Sequence, residues 1–354
     1  MLRYFKGSMI FTLACLALAV WYGWALTGTA AGTLSLVWIV LVLSILEISL
    51  SFDNAVVNAT VLEDMDAVWQ RRFLTWGMVI AVFGMRVIFP LAIVAVAAGL
   101  GPAETVRLSL NDPVRYEQIV SSANVGIAGF GGAFLAMVGL KFFFDADKDV
   151  HWISLIEELL AKFSRIEAVE IAFLLFGLYL ISLLLPQDEA HTFLVAGLLG
   201  LVTFIGVEAI GKILELREEA RAAAGAVVRS GLGGFLYLNV LDASFSFDGV
   251  IGAFALSNNM VVIALGLSIG AMFVRSMTIM LVQKGTLAEY RYLEHGAFWA
   301  IIALGAIMLL SARYHIPEVI TGLIGAALIG VSLAWSIRHN SRHPGVKPDQ
   351  PESD

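Results

Sequence analysis

Acidic side chains recur at the same spacing in two otherwise apolar stretches of the chain. The first stretch runs from Glu47 to Asn54 and the second from Asp242 to Gly249. In each stretch, the aspartate of a Ser-Phe-Asp triplet follows the first carboxylate by six positions. A carboxylate at membrane depth is costly and marks a functional site by default. Two such pairs predict a charged pathway built from two related halves of the chain.

The candidate ligands in and around these stretches all present oxygen atoms. Carboxylate, amide and hydroxyl oxygens suit magnesium, calcium or manganese, whereas thiolates suit copper and zinc. We therefore predict a divalent-cation site formed by Glu47, Asp53, Asn54, Asn58, Asp242 and Asp248. Arg86 and Arg275, which also lie in apolar runs, are predicted to balance part of the charge. The alternative is that the acids pair with these arginines and only hold the helices together.

A continuous helix would not bring these ligands together. Six residues turn a helix by about 600°, which leaves Glu47 and Asp53 about 120° apart. Asp53 can join Glu47 only if the helix breaks near Ser49–Phe52, where serine hydroxyls compete for backbone hydrogen bonds. Aspartate is a good N-cap for a helix that restarts, and Gly249 favours a second break beside Asp248. The sequence therefore predicts a break in each acidic stretch.

The composition indicates an integral membrane protein. Of the 354 residues, 59% are hydrophobic and 14% charged, and the mean hydropathy is +0.85. Soluble domains contain about 45–50% apolar and about 25% charged residues. The net charge of −7 argues against a nucleic-acid partner. The predicted fold is all-α, a polytopic membrane protein with about ten transmembrane helices, at roughly 8–26, 33–61, 73–99, 123–144, 167–186, 190–211, 231–257, 260–283, 295–312 and 316–337.

Lysine and arginine residues set the predicted orientation in the lipid bilayer. With the N-terminus in the cytoplasm, 17 of the 22 fall in cytoplasmic segments, three fall outside and two lie within spans. The positive-inside rule then predicts a multi-pass protein of the inner membrane with both termini cytoplasmic. The spans that hold Asp53 and Asp248 would run in opposite directions, as in the inverted repeats of secondary transporters.

Seven segments follow from this topology. Residues 1–32 form an N-terminal helix and loop, 33–144 the first half of the repeat, 145–166 a cytoplasmic amphipathic linker, 167–211 the connecting spans, 212–230 a second cytoplasmic linker, 231–337 the second half and 338–354 a disordered tail. Apolar residues at helical spacing in the first linker predict a helix on the inner membrane surface or against the bundle. Signal-peptide cleavage of the first helix stays open, although its length and final Trp21 and Trp24 favour an anchor.

Three further polar residues are candidate gates or proton relays. Glu170 and Glu318 lie near the ends of the fifth and tenth spans, and His295 heads the ninth. The alternatives are interfacial positions for the two acids and a hydrogen-bonded structural role for the histidine. The sequence contains no His-Glu-x-x-His and no nucleotide-binding loop, so we expect neither an enzyme nor a cofactor.

These residues resemble the signatures of the TerC family of integral membrane proteins, named from tellurium resistance. Leu46–Asn54 is similar to that family's Glu…Asp-Asn signature, and Asp242–Asp248 resembles its second signature. Arg275-Ser276 resembles its downstream Arg-Ser pair. The resemblance covers roughly residues 35–335 and is closest to a larger branch of unknown function. After Asp248 the chain lacks the proline of the usual Asp-Ser-Ile-Pro-Ala.

The resemblance implies a metal-ion transporter, with manganese efflux the best supported activity in the wider family. We therefore expect export of a divalent cation in exchange for protons, through a carboxylate-lined site between two inverted repeats. The alternative is a membrane scaffold for partners in a metal or tellurite stress response, with the buried acids structural. Whether the chain forms a homo-oligomer stays open.

Overall fold

In a computed structural model of the chain, the described residues form helices and connecting turns, with no β-strand among them. Eight helical segments among them, one being the run Ala67–Val96, are long and apolar enough to cross a bilayer, which confirms the prediction of an all-α, multi-pass membrane protein. The structure describes residues 2–63, 65–77, 79–145, 150–163, 166, 168–223, 231–254, 256–285, 289–314 and 316–342.

The helices are α1 (Leu2–Thr27), α2 (Ala30–Leu50), α3 (Phe52–Glu63), α4 (Ala67–Arg72), α5 (Phe89–Ala98), α6 (Pro102–Asn111), α7 (Pro113–Ser122), α8 (Asn124–Phe143), α9 (Ser154–Phe163), α10 (Val169–Ser182), α11 (Gln187–Ala223), α12 (Leu232–Phe254), α13 (Met260–Lys284), α14 (Leu293–Ser311) and α15 (Glu318–Arg342). Two π-helical stretches, Phe73–Gly77 and Ile80–Ile88, lie between α4 and α5. π-helical turns are rare and often mark functional sites.

Local chemistry explains where several helices begin and end. The Thr29 hydroxyl caps α2 by accepting a hydrogen bond from Gly32 N at 3.2 Å. The Asn259 side chain caps α13 by accepting bonds from two backbone amides of its first turn. Gly99 and Gly285 end α5 and α13 with φ of 63° and 59°. These left-handed conformations favour glycine, which has no Cβ to clash.

Two of the ten predicted spans differ from the eight long apolar helices. Residues 167–186 correspond to α10, which has 14 residues. At 1.5 Å per residue this helix is about 21 Å long, shorter than a hydrocarbon core of about 30 Å. Residues 231–257 correspond to α12, which has 23 residues and carries Asp242. Each of the ten predicted spans therefore corresponds to helix in the structure, but α10 is too short to cross the hydrocarbon core alone.

Helix also forms in three segments outside the predicted spans. Residues 101–122, between the third and fourth predicted spans, fold into α6 and α7, each begun by a proline whose missing N–H is no loss in a first turn. The second cytoplasmic linker begins as a continuation of α11, which reaches Ala223 without interruption. The predicted disordered tail begins as part of α15, which ends at Arg342. Residues 224–230 and 343–354 lie outside the described part of the chain.

The two halves of the predicted repeat pack crosswise. Helices α2 and α3 of the first half pack against α13 of the second. The π-helical stretch Ile80–Ile88 of the first half packs against α12 of the second. Each acidic helix thus packs against the segment of the other half that contains an arginine, namely half-buried Arg275 on α13 or buried Arg86 in the π-helical stretch. The inverted repeat itself stays a prediction.

Glycines permit close crossings in the core formed by α8, α11 and α14. A Cβ on Gly129 of α8 would lie 2.7 Å from Phe193 O of α11, and one on Gly200 of α11 would lie 2.3 Å from Phe130 O of α8. A Cβ on Gly305 of α14 would lie 2.9 Å from Ala136 N. Backbones in direct contact leave no room for side chains at these points. The glycine-rich segment of α8 therefore serves helix packing.

Candidate cation site at a broken helix

The first acidic stretch contains the predicted break. Helix α2 ends at Leu50, Ser51 leaves the helical conformation with φ −104° and ψ 20°, and α3 begins at Phe52. The Ser49 hydroxyl donates to Ile45 O at 2.8 Å, the competing bond expected of a helical serine. Asp53 then lies in the first turn of α3, where the positive end of the helix dipole stabilises a carboxylate. The prediction of a break near Ser49–Phe52 is confirmed.

The second acidic stretch has no break. Helix α12 runs from Leu232 to Phe254 without interruption and so includes Asp242, Asp248 and Gly249. The prediction of a break beside Gly249 is wrong. A glycine lowers helix propensity by only about 1 kcal/mol, which packing against neighbouring helices can outweigh. A proline would cost about 3 kcal/mol. The side chain of Asp248 lies outside the described part of the structure.

Glu47 is held tightly at the end of α2. Its Oε1 forms an ion pair with Nη2 of Arg86 and accepts a hydrogen bond from the Ser51 hydroxyl at 3.3 Å. A Cβ on Gly249 would lie 2.9 Å from Glu47 Oε2, and one on Gly270 would lie 2.3 Å from Glu47 Cγ. Two glycines, on α12 and α13, therefore make the space that this carboxylate occupies.

Asp242 and two asparagines face a small cavity on the other side of the break. Asn58 Nδ2 donates to Asp242 Oδ1 at 2.8 Å, which joins α3 to α12. The cavity has a volume of about 50 Å³ and is lined by Ser51, Asn54, Asn58, Asp242, Arg86, Arg275 and residues around them. The buried Oδ1 atoms of Asn54 and Asn58 have no hydrogen-bond partner among the described residues. Two unpaired acceptors beside a carboxylate are an arrangement that a cation would complete.

Asp53 lies by a second small cavity. This cavity has a volume of about 30 Å³, and its lining includes Glu47, Asp53, Gly249 and Thr321. Asp53 is 6% exposed and accepts a hydrogen bond from Asn54 N at 3.0 Å. Ser51 and Asn54 line both cavities, so the two spaces adjoin at the helix break. The helix break thus places Glu47, which precedes Ser51, and Asp53 and Asn54, which follow it, around two adjoining cavities. The predicted ligand set requires such an arrangement.

The charges of the described residues in this region are nearly balanced. Glu47, Asp53 and Asp242 supply three buried or nearly buried carboxylates, and Arg86 and Arg275 supply two guanidinium groups. The Nε atoms of both arginines lack a hydrogen-bond partner within the described residues. Among all the residues that the structure describes, no group of three or more His, Cys, Asp or Glu side chains is placed so that it could hold a metal ion. A cation here would have to use amide, hydroxyl or carbonyl oxygens in addition to carboxylates.

The chain matches one family along most of its length. The family is described as "Protein of unknown function (DUF475)", and the match covers residues 52–343. The chain belongs to the DUF475 family. No curated protein and no solved structure matches it. The DUF475 match begins immediately after Ser51 and so includes Asp53, Arg86 and Asp242 but not Glu47. The resemblance to TerC stays a prediction.

The three candidate gates of this DUF475 protein differ in their surroundings. His295, 2% exposed, is bonded to Glu157 of the predicted linker 145–166 and does not line either of the two cavities. Glu170 is half-buried in the first turn of α10. Glu318 opens α15, and its side chain lies outside the described part of the structure. Their role as gates or proton relays stays a prediction.

Glu157 is the polar residue that sequence reasoning missed. It is 1% exposed and accepts hydrogen bonds from His295 Nδ1 at 2.9 Å, Trp299 Nε1 at 2.8 Å, Trp152 N at 2.9 Å and Ile153 N at 3.3 Å. Burial opposes its ionisation, but the bonds and charge of these partners outweigh burial and lower the pKa of Glu157 from 4.5 to about 2. An ionised carboxylate only accepts, so His295 Nδ1 must carry the proton.

The sequence did contain a signal for this contact. Glu157 interrupts the apolar residues of an amphipathic helix, between Ile156 and Leu160. A water-facing acid would instead fall in the polar stripe that contains Ser154 and Glu158. An acid at an apolar position indicates a buried partner, because burying a charge without one is costly.

Proposed function

We propose that this DUF475 protein transports divalent metal cations across the membrane through the polar centre at the α2–α3 break. The observation that supports the proposal is the pair of buried amide oxygens on Asn54 and Asn58, beside Asp242, that have no hydrogen-bond partner among the described residues. Leaving a buried acceptor unpaired costs about 1–3 kcal/mol. A passing cation would recover that cost for both asparagines at once.

The donor set favours a hard or borderline cation as the substrate. Asp53, Asp242, Asn54 and Asn58 supply only oxygen, and the single cysteine, Cys15, is buried in another core cluster. Oxygen sites suit manganese, magnesium and calcium. The TerC resemblance points to manganese, exported from the cytoplasm across the inner membrane. We place Asp53 and Asp242 as the charged ligands, with Asp248 the remaining candidate and Glu47 committed to Arg86.

Charge balance supports exchange of the metal for protons. Carboxylates that share a site repel one another when both are ionised, and either a proton or a cation relieves the repulsion. Metal binding releases protons from its ligands. Metal leaving the cytoplasm would therefore be coupled to protons that return through the same centre.

Flux into proteoliposomes tests this proposal. Purified protein is reconstituted with a pH-sensitive dye inside, and uptake of manganese, calcium, magnesium and zinc is measured at pH 6 and pH 8. We expect manganese flux that is faster at pH 8 and accompanied by proton counterflow, with zinc transported least. Flux that neither moves protons nor depends on pH would replace the exchanger with a passive channel. Absence of flux for all four metals would overturn the proposal.

The Glu47–Arg86 ion pair favours a second candidate function. A buried pair with further hydrogen bonds is also what a structural cross-link between helices looks like, and Arg86 Nη1 additionally donates to Ala81 O at 3.0 Å. On this alternative the protein is a membrane scaffold in a metal or tellurite stress response. It predicts loss of stability but unchanged cellular metal content when the acids are replaced.

A further inference from the structure

The short helix α9 has three faces with different surroundings. Ser154, Glu158 and Lys162 follow one another at intervals of four residues and are exposed. Leu155, Leu159 and Phe163 form a second stripe with the same spacing, rotated by about 100°. A third face, which contains Glu157 and Leu160, turns towards the bundle. One face is polar, one is apolar and one is bonded to protein.

The bonds of Glu157 fix the position of α9 relative to the spanning helices. Its partners His295 and Trp299 lie in the first two turns of α14. The His295 ring also packs against Phe142 and Phe143 at the end of α8, with ring centroids 5.4 Å and 6.4 Å away. Helix α9 therefore lies where one spanning helix ends and another begins. That level corresponds to the boundary between the hydrocarbon core and the headgroups.

The apolar stripe of α9 is exposed on the described part of the protein. Leu155 is 84% exposed and Leu159 is 53% exposed. The neighbouring helix α10 also exposes large apolar side chains, including Phe173 and Phe176. Phe173 packs against Phe144 at the end of α8, with 5.9 Å between ring centroids. Helices α9 and α10 therefore both pack against α8, and both carry exposed apolar side chains.

We infer that α9 is an interfacial helix whose Leu155–Leu159–Phe163 stripe is embedded in the lipid at the headgroup–acyl boundary. Its polar stripe then faces the aqueous phase, and Glu157 joins it to α14. Helices of this kind lie in the membrane plane with the apolar face buried by about 5–10 Å. Orientation by the positive-inside rule assigns this surface to the cytoplasmic leaflet. The inference is independent of the proposed transport activity.

Spin labels on single cysteines test the three-faced arrangement. The full-length Cys15→Ala protein is prepared with Leu155→Cys or Leu159→Cys, and with Glu158→Cys or Lys162→Cys as matched controls on the water stripe. Each is labelled with a nitroxide in nanodiscs that hold one copy. Collision with oxygen, which concentrates in lipid, is compared with collision with a water-soluble nickel chelate. Native Cys15 can be kept if Cys15→Ala folds poorly, because this residue is 5% exposed.

We expect the oxygen-to-nickel collision ratio to be several-fold higher at Leu155→Cys and Leu159→Cys than at the two control positions. Equal ratios at all four positions would place both stripes in water and overturn the inference. Low collision rates with both reagents at Leu155→Cys would show that protein covers the stripe, which would overturn it as well. All four positions are exposed, so the labels should not disturb the fold.

Discussion

Two sites with buried carboxylates in this protein differ in how fully their oxygens are used. Glu157, outside the spans, accepts four hydrogen bonds from two side chains and two backbone amides. Asp242 accepts one from Asn58 and Asp53 one from Asn54 N, counting the residues that the structure describes. Beside them, the amide oxygens of Asn54 and Asn58 have no hydrogen-bond partner among the described residues. The Glu157 site is saturated and the centre at the helix break is not.

The difference separates a structural role from a binding role. A carboxylate whose lone pairs are all occupied by fixed donors stabilises the fold and has little capacity left for a ligand. A polar centre that keeps unpaired oxygens in small cavities pays for them in stability and gains the capacity to bind. We therefore expect substitutions at the two sites to affect different measurements.

The largest effect is expected for Asp53→Asn and Asp242→Asn, measured as metal flux in proteoliposomes. Replacing an outer partner of a metal ligand costs about 10–100-fold in affinity or activity, so losing a charged ligand should cost at least about 100-fold. Unfolding should change little, because a neutral amide is easier to bury than a carboxylate. Asp188→Asn, at an exposed position, is the control. Wild-type flux in both variants would remove these residues from the transport site.

Arg86→Met should lower the free energy of unfolding by about 3–5 kcal/mol, because it leaves Glu47 charged and buried without its partner. Combining it with Glu47→Gln should recover most of that loss, since both charges are then gone. Denaturant titration in mixed micelles measures each variant. Additive effects of the two substitutions would mean that the ion pair contributes no coupling and that Glu47 is free for a ligand.

Glu157→Gln should cost about 1.5–3 kcal/mol of stability at neutral pH, the range for hydrogen bonds to a charged group, and leave flux close to wild type. Because the pKa of Glu157 is lowered from 4.5 to about 2, its stabilisation is complete above about pH 4.5 and is lost as pH falls towards 2. The difference between wild type and variant should therefore shrink as the pH falls below 4.5. A difference that grows over that acidic range would contradict the assigned charge state.

The smallest effect is expected for Gly249→Ala, measured as the free energy of unfolding. Its Cβ would lie 2.9 Å from Glu47 Oε2, which the ion pair with Arg86 holds in place, so we expect a loss of about 1 kcal/mol. Gly330→Ala is the matched control, because a Cβ there has no atom within 4 Å. That substitution should be neutral or stabilising by up to about 1 kcal/mol. Equal effects at both positions would show that Glu47 moves freely.

The two acidic stretches show how far local sequence predicts backbone structure here. Their acids have the same spacing, yet the chain breaks at Ser51 and continues as helix through Gly249. The first break has local causes, namely serines that compete for backbone bonds and an aspartate that favours a helix start. The second stretch has a glycine in place of a strong helix breaker, and no proline follows it. Packing against neighbouring helices can keep such a segment helical.

The sequence by itself determined the membrane location, the all-α class, the positions of most helices and the oxygen-rich set of polar residues at the break. These features depend on composition and on the spacing of residues within one helix, and both can be read from residues that are close together in the sequence. Only the tertiary structure decided that Glu47 is paired with Arg86, that Asn58 bonds to Asp242 and that His295 serves Glu157. These contacts join residues 39, 184 and 138 positions apart. Packing of whole helix faces and close crossings at glycines decide which distant helices become neighbours. The periodicity of residues within a single helix does not contain that information.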